Sequence, residues 1–171
     1  MILALDLSSK SSGYAIYDKN KLIDYGCITA GSSNLFYRID KMVEELKKIL
    51  DKYNFSHAYI EDVYPEDVHN NIQVYKALVY LQGFILHLLN KYKLEHTFFL
   101  PNEWRAKCGI HTGKGIKRDV LKAKDIQFVQ DQFNIKVNDD IADAICIGFA
   151  AVGGSPKIAQ IVKTEDGFEF G

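Results

Sequence analysis

The sequence predicts an α/β domain built on a mixed five-stranded sheet, three strands antiparallel and two parallel, flanked by helices. Three observations carry the prediction. The first 29 residues hold three short β-like runs separated by polar turns. From Leu35 the apolar spacing switches to that of a helix. After that, short apolar strands alternate with helical segments, the pattern that places parallel strands beside one another through right-handed crossovers. The 171 residues suffice for one domain with a full core and are too few for two. We assign 1–152 to that domain and 153–171 to a tail or short hairpin.

Ile2 to Leu7 is an apolar run containing one acid, Asp6. It lacks a preceding basic segment and reads as a first strand, not a signal peptide. Tyr14 to Tyr17 and Leu22 to Thr29 follow, joined by the turn Lys19-Asn20-Lys21, and make an antiparallel meander. Leu35, Ile39, Met42, Val43, Leu46, Ile49, Leu50 and Tyr53 then fall at helical spacing, and Ser33 or Asn34 can cap the helix. His57 to Ile60 is a fourth strand, followed by Glu61. Residues 71–92 predict a helix apolar almost all round, which must bury two faces. One face covers the sheet; the other calls for a second layer or a second subunit, and we expect a homodimer. Leu94 to Leu100 is a fifth strand closed by Pro101, and 102–107 a short helix. His111 to Gly115 is a glycine-containing loop. Helices over 116–133 and 138–152 complete the order. No uninterrupted apolar run reaches the roughly 18 to 20 residues of a membrane span, so no membrane partner is expected.

The three cysteines, Cys27, Cys108 and Cys146, form no CxxC pair and read as reduced thiols of a cytoplasmic protein. Cys108 and His111 make a lone CxxH without the two further ligands a structural zinc needs. The net charge is −1, but its distribution is uneven. Residues 101–124 hold seven Lys/Arg against two acids, and 134–171 hold six acids against three lysines. A basic stretch on a neutral chain fits a local polyanion contact, or else a solvated helix face.

Asp6 and Glu61 each close a strand, and Asp140 and Asp143 stand three apart at the start of the last helix, hence on one face. Strand-end acids and helix-start acids also serve as turn and cap residues. Their combination supports a different reading. If the strands are neighbours and the helix packs across the same edge, four carboxylates converge. They would raise one another's pKa unless hard cations neutralised them. Mg2+, for which Mn2+ can substitute, takes such oxygen ligands. Two such ions about 4 Å apart can clamp a phosphodiester.

Here a resemblance enters. MILALDLSSKSSGYAIY resembles the opening of RuvC-type Holliday junction resolvases, AYIEDVY their second acidic motif, and NDDIADAICIGFAA their final D-x-x-D helix. The likeness runs over about residues 1–152, with the motifs in the right order. It implies an RNase H-like fold, a homodimer built largely on the 71–92 helix, and magnesium-dependent nicking of four-way DNA junctions. Carried over by position, the catalytic and metal-binding acids are Asp6, Glu61, Asp140 and Asp143. Bacterial members commonly have Asp-Pro-Gly at the first motif; Asp6-Leu7-Ser8-Ser9 resembles the phage and viral members more, which would place the protein in a host's cytoplasm. The family's junction-opening aromatic, three positions after the glutamate, falls on Tyr64, which can stack on an unpaired base or be a plain loop residue.

The candidate DNA-contacting cations are Arg105, Lys107, Lys114, Lys117 and Arg118. Gly113-Lys114-Gly115 and the helix start after it offer backbone N–H groups to a phosphate, but the full P-loop pattern is missing. Trp104 reads as a packing residue, with base stacking the alternative. Rival readings are an actin-like or sugar-kinase ATPase, a non-catalytic junction binder, and an RNase H-like nuclease acting on RNA.

Overall fold

The computed structural model describes residues 1–64 and 71–154 and, beyond them, strands at 161–164 and 167–170. β1 (Ile2–Asp6), β2 (Ser11–Asp18) and β3 (Lys21–Thr29) form the meander. α1 (Leu35–Lys52) leads to β4 (His57–Glu61), and α2 (Ile72–Lys91) to β5 (His96–Phe99). Then come α3 (Pro101–Lys107), α4 (Arg118–Phe133) and α5 (Asp139–Ala151). The five-stranded sheet has the order β3-β2-β1-β4-β5, with β1·β2 and β2·β3 antiparallel and β1·β4 and β4·β5 parallel. This is the mixed sheet expected. In the tail, β6 (Ile161–Thr164) and β7 (Gly167–Phe170) pair antiparallel; residues 155–160, 165–166 and 171 lie outside the described residues.

Helices cover both faces of the sheet. Leu3, Leu5, Ile16, Ala58 and Ile60 pack with Ile39, Met42 and Leu46 of α1 and Leu81, Ile85 and Leu89 of α2. Ala4, Ala15 and Tyr17 pack on the opposite face with Trp104 of α3, Val129 of α4 and the apolar length of α5. β1 is therefore buried on both sides, as its unbroken apolar run requires. Asn34 caps α1, accepting the Tyr37 N–H at 3.1 Å. α4 begins two residues later than its apolar pattern implies. Gly115 takes a left-handed φ of +86° and the Ile116 N–H bonds the Gly113 carbonyl, so the loop turns once more before the helix starts.

Among the described residues α2 is the one helix long and apolar enough, by length and composition, to cross a membrane. No single run announced this, because Lys76 and several polar residues interrupt it. Ala77, Leu81, Ile85, Leu88 and Leu89 of this helix are buried in the domain. Ile72, Val79, Tyr80 and Phe84 are exposed, so among the described residues one of its two apolar faces is left uncovered, while the exposed Val74 lines a cleft on the other side. The three cysteines are free thiols, two of them buried.

Candidate active site

The period of two along each strand decides which acids meet. In β1, Leu3 and Leu5 enter the α1/α2 core, so Ala4 and Asp6 face α5. In β4, Ala58 and Ile60 enter that same core, so Tyr59 and Glu61 face α5 as well. β1 and β4 run parallel with Leu5 opposite Ile60. Asp6 and Glu61 therefore leave one edge of the sheet side by side, at the carboxyl ends of the strands, where open α/β sheets bind their ligands.

α5 brings the other two acids to this edge. Gly13 is the strand partner of Asp6, and a Cβ placed on it would lie 1.9 Å from the carbonyl oxygen of Asp140. Only glycine lets the helix start so close to β2. Asn138 caps α5, accepting the Ile141 N–H at 3.0 Å. Asp140 thus stands next to Asp6, and Asp143 lies about one turn further along the same face. Ser11 Oγ donates to Asp140 Oδ2 at 2.5 Å. The remaining acid of this run, Asp139, bonds Lys122, which holds its carboxyl below the usual range.

The loop between β1 and β2 is closed without Pro-Gly. The Ser8 N–H donates to Ser12 Oγ at 3.0 Å, and Ser12 Oγ donates to the Ser8 carbonyl at 2.7 Å. Arg38 ties the loop to α1, donating to the carbonyls of Ser9 and Ser32.

Asp6, Glu61, Asp140 and Asp143 all line one open cleft of about 940 Å³, with Lys10, Arg118 and Lys122 among its walls. Burial pushes the Asp6 carboxyl well above its ordinary range, and Glu61 and Asp140 add repulsion. Asp143 is raised in the same way, by burial first and then by Asp6, Asp125 and Glu61. Asp143 Oδ1 is buried without a hydrogen-bond partner. An orphaned, desolvated carboxylate oxygen among repelling acids is the situation a hard divalent cation relieves, and an all-oxygen donor set suits such an ion. Among the described residues no three acidic, histidine or cysteine side chains close on one point as a finished ligand cluster. The carboxylates face a shared space, so waters and substrate oxygens would complete a coordination shell.

The other expected site residues divide. Tyr64 is exposed just beyond β4, and Lys107, Lys114, Lys117 and Arg118 are exposed on or between α3 and α4. Arg105 is a correction: it is not a surface cation. It is 8% exposed, and its Nε and Nη2 bind the buried carboxylate of Asp125 at 2.7–3.1 Å. Its Nε and Nη2 are committed inside the domain, because a buried acid on α4 demands a partner, although Arg105 also borders the cleft. Trp104 is fully buried, which rules out base stacking, and its Nε1 donates to Glu61 Oε2 at 2.7 Å. Sequence reasoning missed that bond and the place of Lys122 beside the acids. The usable signal for the first was that a buried indole N–H seeks an acceptor, and Glu61 ends a strand on the same face.

A family model described as "Crossover junction endodeoxyribonuclease RuvC" matches residues 2–150. The chain belongs to the RuvC family. A RuvC of Ehrlichia ruminantium is 28% identical over 161 residues, covering 88% of this chain and 95% of its own length. One from Fusobacterium nucleatum is 30% identical over 155 residues, covering 85% of this chain and 76% of its own. Among solved structures, Thermus thermophilus RuvC in complex with Holliday junction substrate superposes with a TM-score of 0.72 at 9% identity, covering 89% of this chain and 92% of that one. Fowlpox virus resolvase, solved with Holliday junction DNA, gives 0.54 at 17% identity, covering 89% and 98%. The structural likeness bears out the RNase H-like fold, and membership in the RuvC family makes the chain an endodeoxyribonuclease of a metal-dependent kind. The ATPase and non-catalytic readings fall with it.

Proposed function

We propose that this RuvC-family nuclease nicks four-way DNA junctions, with Asp6, Glu61, Asp140 and Asp143 as its catalytic carboxylates. The observation that supports this best is the arrival of those four acids, from two strands and one helix, in one cleft that also holds Lys10, Arg118 and Lys122. The four would hold two divalent ions, Mg2+ or in its place Mn2+, which when bound supply an activated water and neutralise charge on the leaving oxygen. Ser11 keeps Asp140 turned toward its neighbours. Lys107, Lys114, Lys117 and Arg118 hold the phosphate backbone, and the exposed ring of Tyr64 stacks on a base freed at the branch. Labelled four-way, three-way and linear duplexes, incubated with Mg2+ and with EDTA, test the reading. Ion-dependent cutting of the branched substrates is expected, with Asp6→Asn inactive but still binding. Equal cutting of linear duplex, or preferential cutting of RNA, would refute it.

Symmetric cleavage needs two sites facing equivalent strands, and hence a two-fold dimer. The exposed face of α2 is the surface we assign to it. Ile72, Val79, Tyr80 and Phe84 are exposed on the side of α2 turned from the domain, and Phe36 of α1 stacks on Tyr80 at 6.3 Å between ring centroids. Phe84→Glu would place the new charge in the interface twice. We expect dimer affinity to fall at least about 100-fold in analytical ultracentrifugation. A wild-type chain that sediments as a monomer at micromolar concentration would exclude this interface.

A further inference from the structure

Trp104 is the only tryptophan in the chain. Its ring is wholly buried, and its Nε1 donates to Glu61 Oε2 at 2.7 Å. The ring is fixed from its other side. The Arg105 guanidinium carbon lies 4.2 Å from the ring centroid, and that guanidinium makes three hydrogen bonds to Asp125, which is 0% exposed. Neither Trp104 nor Arg105 belongs to the sheet that carries Glu61; both come from α3. The result is a rigid donor, supported from beneath by a buried ion pair and aimed at one oxygen of an acid in the cleft.

We propose that Trp104 is a positioning residue: its indole N–H fixes the orientation in which the Glu61 carboxylate meets a divalent ion. This rests on Glu61 being a ligand. A free glutamate samples several rotamers, and ion binding must order them; a donor that orders the carboxylate beforehand lowers that cost. Outer partners of metal-ligating groups typically affect ion affinity by 10- to 100-fold. The same bond gives the protein an internal reporter. Neutralising the Glu61 charge changes the field at the indole N–H, so ion binding should alter the emission of the sole tryptophan.

The test uses the purified full-length protein without DNA. Mg2+ and Mn2+ are titrated while Trp104 fluorescence is recorded, and the same titrations are run by calorimetry. Wild type should show a saturable emission change with the calorimetric midpoint, and Glu61→Gln should lose it. Trp104→Phe keeps an aromatic ring in the core and removes the donor. It should bind the ion about 10- to 100-fold more weakly. Its cleavage should recover at saturating ion, and its junction affinity in EDTA should match wild type. If Glu61→Gln loses ion binding while Trp104→Phe keeps the wild-type midpoint, the positioning role is overturned and the ligand role stands. If Glu61→Gln binds the ion as wild type does, both fall. Should Trp104→Phe not fold, wild type alone decides: calorimetric binding with unchanged emission overturns the proposal.

Discussion

Asp143→Asn is expected to abolish cleavage and, in the absence of divalent ions, to make the protein more stable than wild type. Asp143 is 5% exposed, its carboxyl is raised by burial and by repulsion from Asp6, Asp125 and Glu61, and its Oδ1 has no hydrogen-bond partner. A raised folded-state pKa means that stability present below the ordinary value near 3.8 is lost as pH rises through the raised value. Asparagine carries no such penalty. The stability gap between variant and wild type should therefore open above about pH 4 and reach a plateau once the wild-type group is ionised. The ion-free variant should therefore melt above wild type at neutral pH, by a margin that shrinks as the pH falls toward the ordinary carboxylate range. Saturating Mg2+ should reverse the order, because an ion binding the folded form at about 100 times its Kd stabilises it by about 2.7 kcal/mol. Cleavage should fall at least about 10³-fold, since residues that act as a unit fail together. Junction binding in EDTA should be kept. Calorimetric melts of both proteins at several pH values, with and without the ion, check this; a lower Tm for the ion-free variant at neutral pH would contradict it.

That prediction depends on contacts that were only half legible in the sequence. Alternation along β1 and β4 fixes the face of Asp6 and Glu61, and an i,i+3 pair fixes a common helix face for Asp140 and Asp143; both are properties of local period. What joined them was long-range. Gly13, inside a strand, permits α5 to touch β2, and nothing local distinguishes it from a turn glycine. The role of Asp139 is a similar case. Three acids in the last motif compete for the cleft, and Lys122, 17 residues earlier, takes one of them. Helix limits follow from apolar period and caps such as Asn34 and Asn138, which are short-range signals, whereas β2 begins three residues before its apolar run and β5 two residues after the start of its own. The start of α4 is set by the left-handed Gly115.

Arg105 shows where charge counting fails, and its substitution should have the second large effect. A basic segment was read as a phosphate-binding surface, and Lys107, Lys114, Lys117 and Arg118 do face outward. Arg105 faces inward to Asp125, at 0% exposure. Removing one partner of a buried pair leaves the other charge uncompensated, at a cost of about 3–5 kcal/mol. Arg105→Met should therefore lower Tm by roughly 6–20 °C at this chain length. It should also loosen the support under Trp104. The double variant Arg105→Met with Asp125→Leu should recover most of the loss, because an apolar pair of similar volume carries no desolvation penalty. Lys114→Ala supplies the contrast. It should leave Tm within about 0.5 kcal/mol of wild type, as exposed substitutions do. It should instead weaken junction binding and reduce the slope of log affinity against log salt by about 1. If Arg105→Met behaves like Lys114→Ala, with Tm intact and the salt slope reduced, then its guanidinium reaches DNA and the buried pair is not its role. If it melts early while the salt slope stays at the wild-type value, Arg105 serves the core, as its burial against Asp125 indicates, and the proposed phosphate contacts rest on the exposed cations.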